Sequence, residues 1–154
     1  MLFLQFYVGD SAYALETSKV VEVVPLVIFT KVYQVPKYVT GVFNYRGLIV
    51  PAFDFSIMIN GNPSRSFLST RIIILNYPKD DGHPRYLGLI VEKVTETINK
   101  PLSELSEISS SASDSESYFL DRMMFDDKNM IQTVKLENLL SDSQRDISKV
   151  LANT

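Results

Sequence analysis

The chain carries few side chains able to do covalent or metal chemistry. Its 154 residues include no cysteine and a single histidine, His83. His83 stands in a polar run, residues 79–85 (KDDGHPR), beside Asp80 and Asp81. A metal or general-base role there would need further ligand types that the run lacks, so it reads first as a solvated turn. Two carboxylates interrupt apolar segments: Asp54, and Glu92 at the end of Leu-Ile-Val-Glu. Either could serve as an acid in a cleft. The plainer role is a strand-end carboxylate that accepts backbone hydrogen bonds or faces water. No G-x-S-x-G, H-E-x-x-H or Walker loop is present. The residues therefore point to no catalytic, cofactor or metal site. Arg46 is different in kind. It sits beside Gly47 between two apolar runs, and its planar fork suits a carboxylate partner. The ordinary alternative is a solvated turn arginine.

The elements that must position Arg46 come next. Gly41 to Tyr45 and Leu48 to Phe55 are strand-length and rich in β-branched and aromatic residues. Gly47 takes φ > 0 at little cost, so Arg46-Gly47 is expected to be a tight turn or bulge. Upstream, Leu2 to Val8 alternates as a strand, Gly9-Asp10 turns, and Tyr13 to Glu16 completes a hairpin. Ser18 to Val24 reads equally as a capped short helix or as a strand. Leu26 to Tyr33 reads as extended. Short helical turns are expected at Ser56 to Asn60 and Pro101 to Leu105. Arg71 to Tyr77 and Tyr86 to Val91 are buried strands with no polar face. Ser106 to Ser117 is the low-complexity segment and is expected to be a surface loop. Tyr118 to Phe125 and Met130 to Leu136 are strands joined by a turn over residues 126–129. From Leu136 the pattern becomes helical, as one helix or as two divided at a capping box, Ser141-x-x-Gln144. About ten short strands, with turn signals every 8–12 residues, make an all-β chain of antiparallel sheets that ends in a helix.

Bulk properties narrow the function. A chain of this length buries roughly 70% of the surface its unfolded form exposes, enough for one domain without disulfides. The absence of cysteine fits a reducing compartment. Net charge is −3 and no basic run exists, which argues against electrostatic binding of nucleic acid. The first ten residues lack a basic n-region and read as a strand, not a signal peptide. The most apolar run, Val20 to Phe29, is broken by Glu22 and Pro25 and is too short to span a bilayer. The expectation is a soluble cytoplasmic protein with no direct membrane insertion.

Residues 33–59 carry a pattern more specific than any of this. Pro36, Val39, Gly41, Val42, Asn44, Arg46, Gly47, Ile49, Val50, Pro51 and Asp54 stand in order. The set resembles the central signature of the CheW-like adaptor domain of bacterial chemosensory systems. Tyr45 and Phe55 depart from it, since the family usually has leucine there, but both stay apolar. Residues 19–24 (KVVEVV), 86–94 (YLGLIVEKV) and 130–140 resemble further family segments, so the likeness covers nearly the whole chain. Glu92 is a small departure from the family's usual aspartate.

The resemblance implies two packed five-stranded SH3-like barrels with a C-terminal helix. One barrel is expected near residues 10–65. The other is expected to take residues 1–9 and 66–136, with a helical segment over 137–154. It implies a non-enzymatic adaptor without cofactors that couples methyl-accepting chemoreceptor tips to the regulatory domain of a CheA-type histidine kinase, recruited to receptor arrays. It implies partner contact at Val20, Glu22, Gly41, Asn44, Arg46 and Gly47, whose ordinary roles would be barrel core and turns. Glu22 stands in one of the matched segments and Arg46 in another, each flanked by apolar residues that make an isolated charge costly, so they are expected to lie within salt-bridge reach. The alternative is a small-ligand-binding β-barrel sensor, which needs an enclosed apolar cavity. A hydrolase would need convergent titratable groups in a cleft.

Overall fold

A computed structural model describes residues 1–77, 85–107, 119–127 and 129–141. His83 with Asp80 and Asp81, most of the serine-rich segment and the helical stretch from residue 142 onward lie outside the described residues. The strands run β1 (Leu2–Val8), β2 (Ser11–Glu16), β3 (Val20–Pro25), β4 (Val39–Tyr45) and β5 (Leu48–Asp54). Helix α1 (Phe55–Asn60) follows, then β6 (Arg71–Asn76), β7 (Tyr86–Val91), β8 (Lys93–Asn99), β9 (Ser106–Glu107), β10 (Leu120–Asp126) and β11 (Asn129–Val134), and then α2 (Leu136–Ser141). Short 3-10 turns cover Thr17–Lys19 and Leu102–Glu104. The valines of residues 20–24 therefore settle as a strand, because β6 supplies a partner. Residues 26–33 carry no strand, only a bridge between Thr30 and Val42. Ser106 and Glu107, expected in a loop, pair with Met123 and Arg122 on β10.

The strands form two sheets, one five-stranded in the order β3-β6-β7-β5-β4 and one six-stranded in the order β8-β1-β2-β11-β10-β9. Each curls around its own apolar cluster. Phe43, Tyr45, Val50, Ala52, Ile72, Ile74 and Ile90 fill the first. Phe3, Ala12, Ala14, Ile98, Met124 and Ile131 fill the second. A larger cluster lies in the seam between them.

The division between barrels differs from the expected one. β2 belongs to the second barrel, and β6 and β7 belong to the first, so the first barrel spans residues 20–91 and the second is built from both ends of the chain. One parallel pairing in each sheet sets this: β5 with β7 (Ala52 opposite Gly88) and β2 with β11 (Ala12 opposite Ile131). The all-apolar character of β6 and β7 has the expected cause. Ile72 and Ile74 point into the barrel, while Ile73 and Leu75 point into the seam, and β7 divides the same way. Each such side chain stabilises by roughly 1.5–3 kcal/mol when fully buried.

Phe55 anchors the seam. It meets the rings of Phe6, Tyr13 and Phe119 at 5.2, 5.0 and 5.9 Å, all edge-on. Edge-to-face contact is the favoured arrangement for such rings. The phenylalanine at position 55 thus extends the seam packing.

Candidate functional site

The Arg46-Gly47 turn is a two-residue hairpin loop, with Tyr45 opposite Leu48. Arg46 has φ 50° and Gly47 has φ 86°. Positive φ at both central residues is the pattern that matches the twist of hairpin strands. Asn44 holds the loop, its Oδ1 accepting the Gly47 N–H at 2.9 Å. For arginine the left-handed backbone costs roughly 1–2 kcal/mol, so contacts elsewhere must hold it.

Those contacts come from β3. Arg46 Nη2 lies 3.1 Å from Glu22 Oε1, and the Tyr45 hydroxyl donates to that same oxygen at 2.6 Å. The expected Glu22–Arg46 pair is therefore present, with a third member that sequence reading treated only as an apolar replacement. Burial, followed by the hydrogen bond to Glu22, pushes the Tyr45 phenol above its ordinary pKa, so it stays a donor. The Arg46 guanidinium also lies 5.3 Å from the centre of the Tyr45 ring. Its side chain is 69% exposed and that of Glu22 is 35% exposed. A pair this open contributes about 0–1 kcal/mol to stability. Arg46 has five N–H donors, and Glu22 does not occupy them all.

A bulge in β3 aims Glu22. Val20 stands opposite Leu75 and Glu22 opposite Ile74, so two residues advance on β3 against one on β6. Val20 then packs, half-buried, against the seam, while Glu22 shares a face with Val24 at the barrel rim. Gly41, expected at the contact, lies in the interior of the first barrel. It is buried, and a Cβ there would run into the Thr30 carbonyl. Its hydrogen atom leaves room for the Thr30–Val42 bridge, whose bonds are 2.8 and 2.9 Å long. Around the polar cluster, the same strands expose Val21, Val23, Leu48 and Ile49, at 41, 36, 47 and 50%. Sequence reading missed these four, because apolar residues in strands look alike whether they face core or water.

The two carboxylates weighed as acids are structural. Asp54 caps α1, accepting from Ser56 N at 3.0 Å and from Ser64 N and Oγ at 2.9 and 2.6 Å. Glu92 accepts from Gly9 N and Arg65 N, each at 2.6 Å, and from Arg65 Nε at 3.1 Å. Burial alone would raise its pKa. The Arg65 side chain, the two backbone N–H groups and the Arg65 charge outweigh that and hold it below the ordinary value. Arg65 went unnoticed in the sequence because nothing local marks it as a partner of Glu92.

The interior of the first barrel is filled. A Cβ added at Gly88 would lie 2.8 Å from Phe43 and 2.9 Å from Ile72. Among the described residues there is no cluster of metal-ligating groups, and no helix is long and apolar enough to cross a membrane.

Two barrels, the first with a filled interior and with a polar cluster and exposed apolar side chains at its rim, define an interaction domain. The CheW-like domain family matches residues 2–144, and the chain belongs to that family. It is 25% identical to the chemotaxis protein CheW of Klebsiella aerogenes over 92% of this chain and 82% of that protein. It is also 25% identical to the chemotaxis protein CheW of Helicobacter pylori, over 73% of this chain and 65% of that protein. The crystal structure of the scaffolding protein TtCheW from Thermoanaerobacter tengcongensis superimposes with a TM-score of 0.75 at 26% identity, covering 88% of this chain and 84% of that one.

Proposed function

We propose that this chain is a non-enzymatic adaptor that couples methyl-accepting chemoreceptors to a CheA-type histidine kinase in a chemosensory array. The observation that carries the reading is the Glu22–Tyr45–Arg46 cluster at the rim of a filled barrel, beside four exposed apolar side chains. Such a rim suits protein binding: apolar burial supplies affinity, and a few charges supply specificity and register. Membership of the CheW-like family and the likeness to a scaffolding protein support the same reading. The partners are the regulatory domain of the kinase and the cytoplasmic tip of the receptor, so the chain works in the cytoplasm at membrane-bound arrays. Glu22, Asn44, Arg46 and Gly47 form the contact, and Val20 and Gly41 shape it from behind.

Arg46→Asn tests this directly. Asn-Gly is the favoured pair for this hairpin loop, so the strain relieved offsets the lost ion pair, and the melting temperature stays within a few degrees. Binding to a CheA-type regulatory domain or to a receptor tip weakens by roughly tenfold, about 1.4 kcal/mol. Unchanged binding would remove Arg46 from the contact. Failure of the parent chain to bind either partner would sink the adaptor reading.

A further inference from the structure

We infer that Glu92 is a latch that sets the angle between the two barrels, and that it thereby acts as a positioning residue for a partner docked on the first barrel. Glu92 is the one residue between β7 of the first barrel and β8 of the second. Its side chain is 7% exposed. Oε1 takes the N–H of Gly9, in the β1–β2 turn of the second barrel, at 2.6 Å. Oε2 takes the N–H of Arg65, in the loop before β6 of the first barrel, at 2.6 Å, and the Arg65 fork adds bonds of 3.1 and 3.3 Å. Its main chain bridges in the same way. The Glu92 N–H donates to the Tyr7 carbonyl of β1 at 3.1 Å, and its carbonyl accepts from Ser69 Oγ at 2.9 Å.

The cluster that fills the seam is built from apolar side chains, and apolar contact is non-directional. It holds the barrels together and leaves small rotations cheap. Charge-assisted hydrogen bonds are short and directional, and one carboxylate that takes donors from both barrels fixes their rotation. The contact residues Glu22, Asn44, Arg46 and Gly47 all stand on the first barrel, so the rotation decides how the second barrel lies beside a partner docked there, and a fixed rotation spares the ordering cost on binding. The latch itself stands on geometry alone, and its positioning role rests on the adaptor reading.

The chain has no cysteine, so paired labels can be placed without background. Val23→Cys on β3 and Glu96→Cys on β8 put one spin label on each barrel for double electron–electron resonance. The expected result is a single narrow distance distribution in the labelled parent, broadened or shifted by Glu92→Gln. Arg65→Gln, at a side chain 61% exposed, produces a smaller change in the same sense. Unlabelled Glu92→Gln binds a CheA-type regulatory domain roughly tenfold more weakly than the parent. Distances unchanged in both variants overturn the latch. If Glu92→Gln fails to fold, the Arg65→Gln distances decide alone. Broadened distances with unaltered affinity overturn the positioning role. A parent chain that binds no partner removes the adaptor reading instead, and leaves the latch to be judged on distances.

Discussion

Arg46 and Gly41 stand five positions apart in one signature and do different work. Arg46 is exposed and held in a left-handed conformation, and its charge is answered by Glu22 at 3.1 Å. Gly41 is buried where β4 and the Thr30 backbone approach too closely for any side chain. Its substitution therefore acts through folding. Gly41→Ala pushes the new methyl group against a carbonyl that β4 itself holds, and overpacking of this kind costs at least about 1–3 kcal/mol. The expected outcome is a clear drop in the thermal midpoint with the Thr30–Val42 bridge lost from amide exchange protection. Partner binding of the fraction still folded is retained. A variant with native stability and lost binding would restore Gly41 to the contact surface.

At the scale of elements, α1 shows how a short helix is held. Six residues are too few for a helix to persist on its own in water. The Asp54 carboxylate caps it, Gly61 at φ 81° ends it, and Phe55 buries its first residue in the seam. Asp54 also ties down the following loop through Ser64. Asp54→Ala removes both functions. A lost cap costs about 0.5–2 kcal/mol, and the loop bonds add to it, so the denaturant midpoint falls by more than a cap alone explains. Ser64→Ala, which removes only the hydroxyl bond, produces the smaller part of that loss. Equal effects from the two would mean that the cap contributes nothing.

For the molecule as a whole, the joint between barrels is an acid-sensitive place. Glu92 titrates below its ordinary value of 4.5 in the fold because the donors from Arg65 and Gly9 outweigh its burial. Arg65 faces it directly, and Asp10 lies close enough to act on Arg65. A carboxylate whose folded pKa lies below its unfolded one adds stability above the unfolded value and loses it as pH falls through the folded value. The stability difference between the parent and Glu92→Gln is therefore constant from pH 7 to about 5 and shrinks below about 4.5. Urea titrations across that range measure it. A difference that stays level down to pH 3 would show that the charge of Glu92 contributes nothing to the joint.

What the sequence determined was local. Alternation in residues 2–8, the β-branched runs on either side of Arg46-Gly47, and glycine at a turn that needs φ > 0 are each fixed by neighbours in the chain. The pairing of Glu22 with Arg46 was legible too, since two charges inside apolar segments of one small barrel have few other partners. The membership of each sheet was not legible. Ile72 to Leu75 and Leu87 to Val91 are apolar on both faces, so they fit either barrel equally well. The choice falls to the parallel pairings of Ala52 with Gly88 and Ala12 with Ile131, between residues far apart in the chain. The bulge at Val20 and the donors gathered at Glu92 have the same origin. Each depends on which backbone atoms arrive beside a given residue, and only the closed tertiary structure decides that.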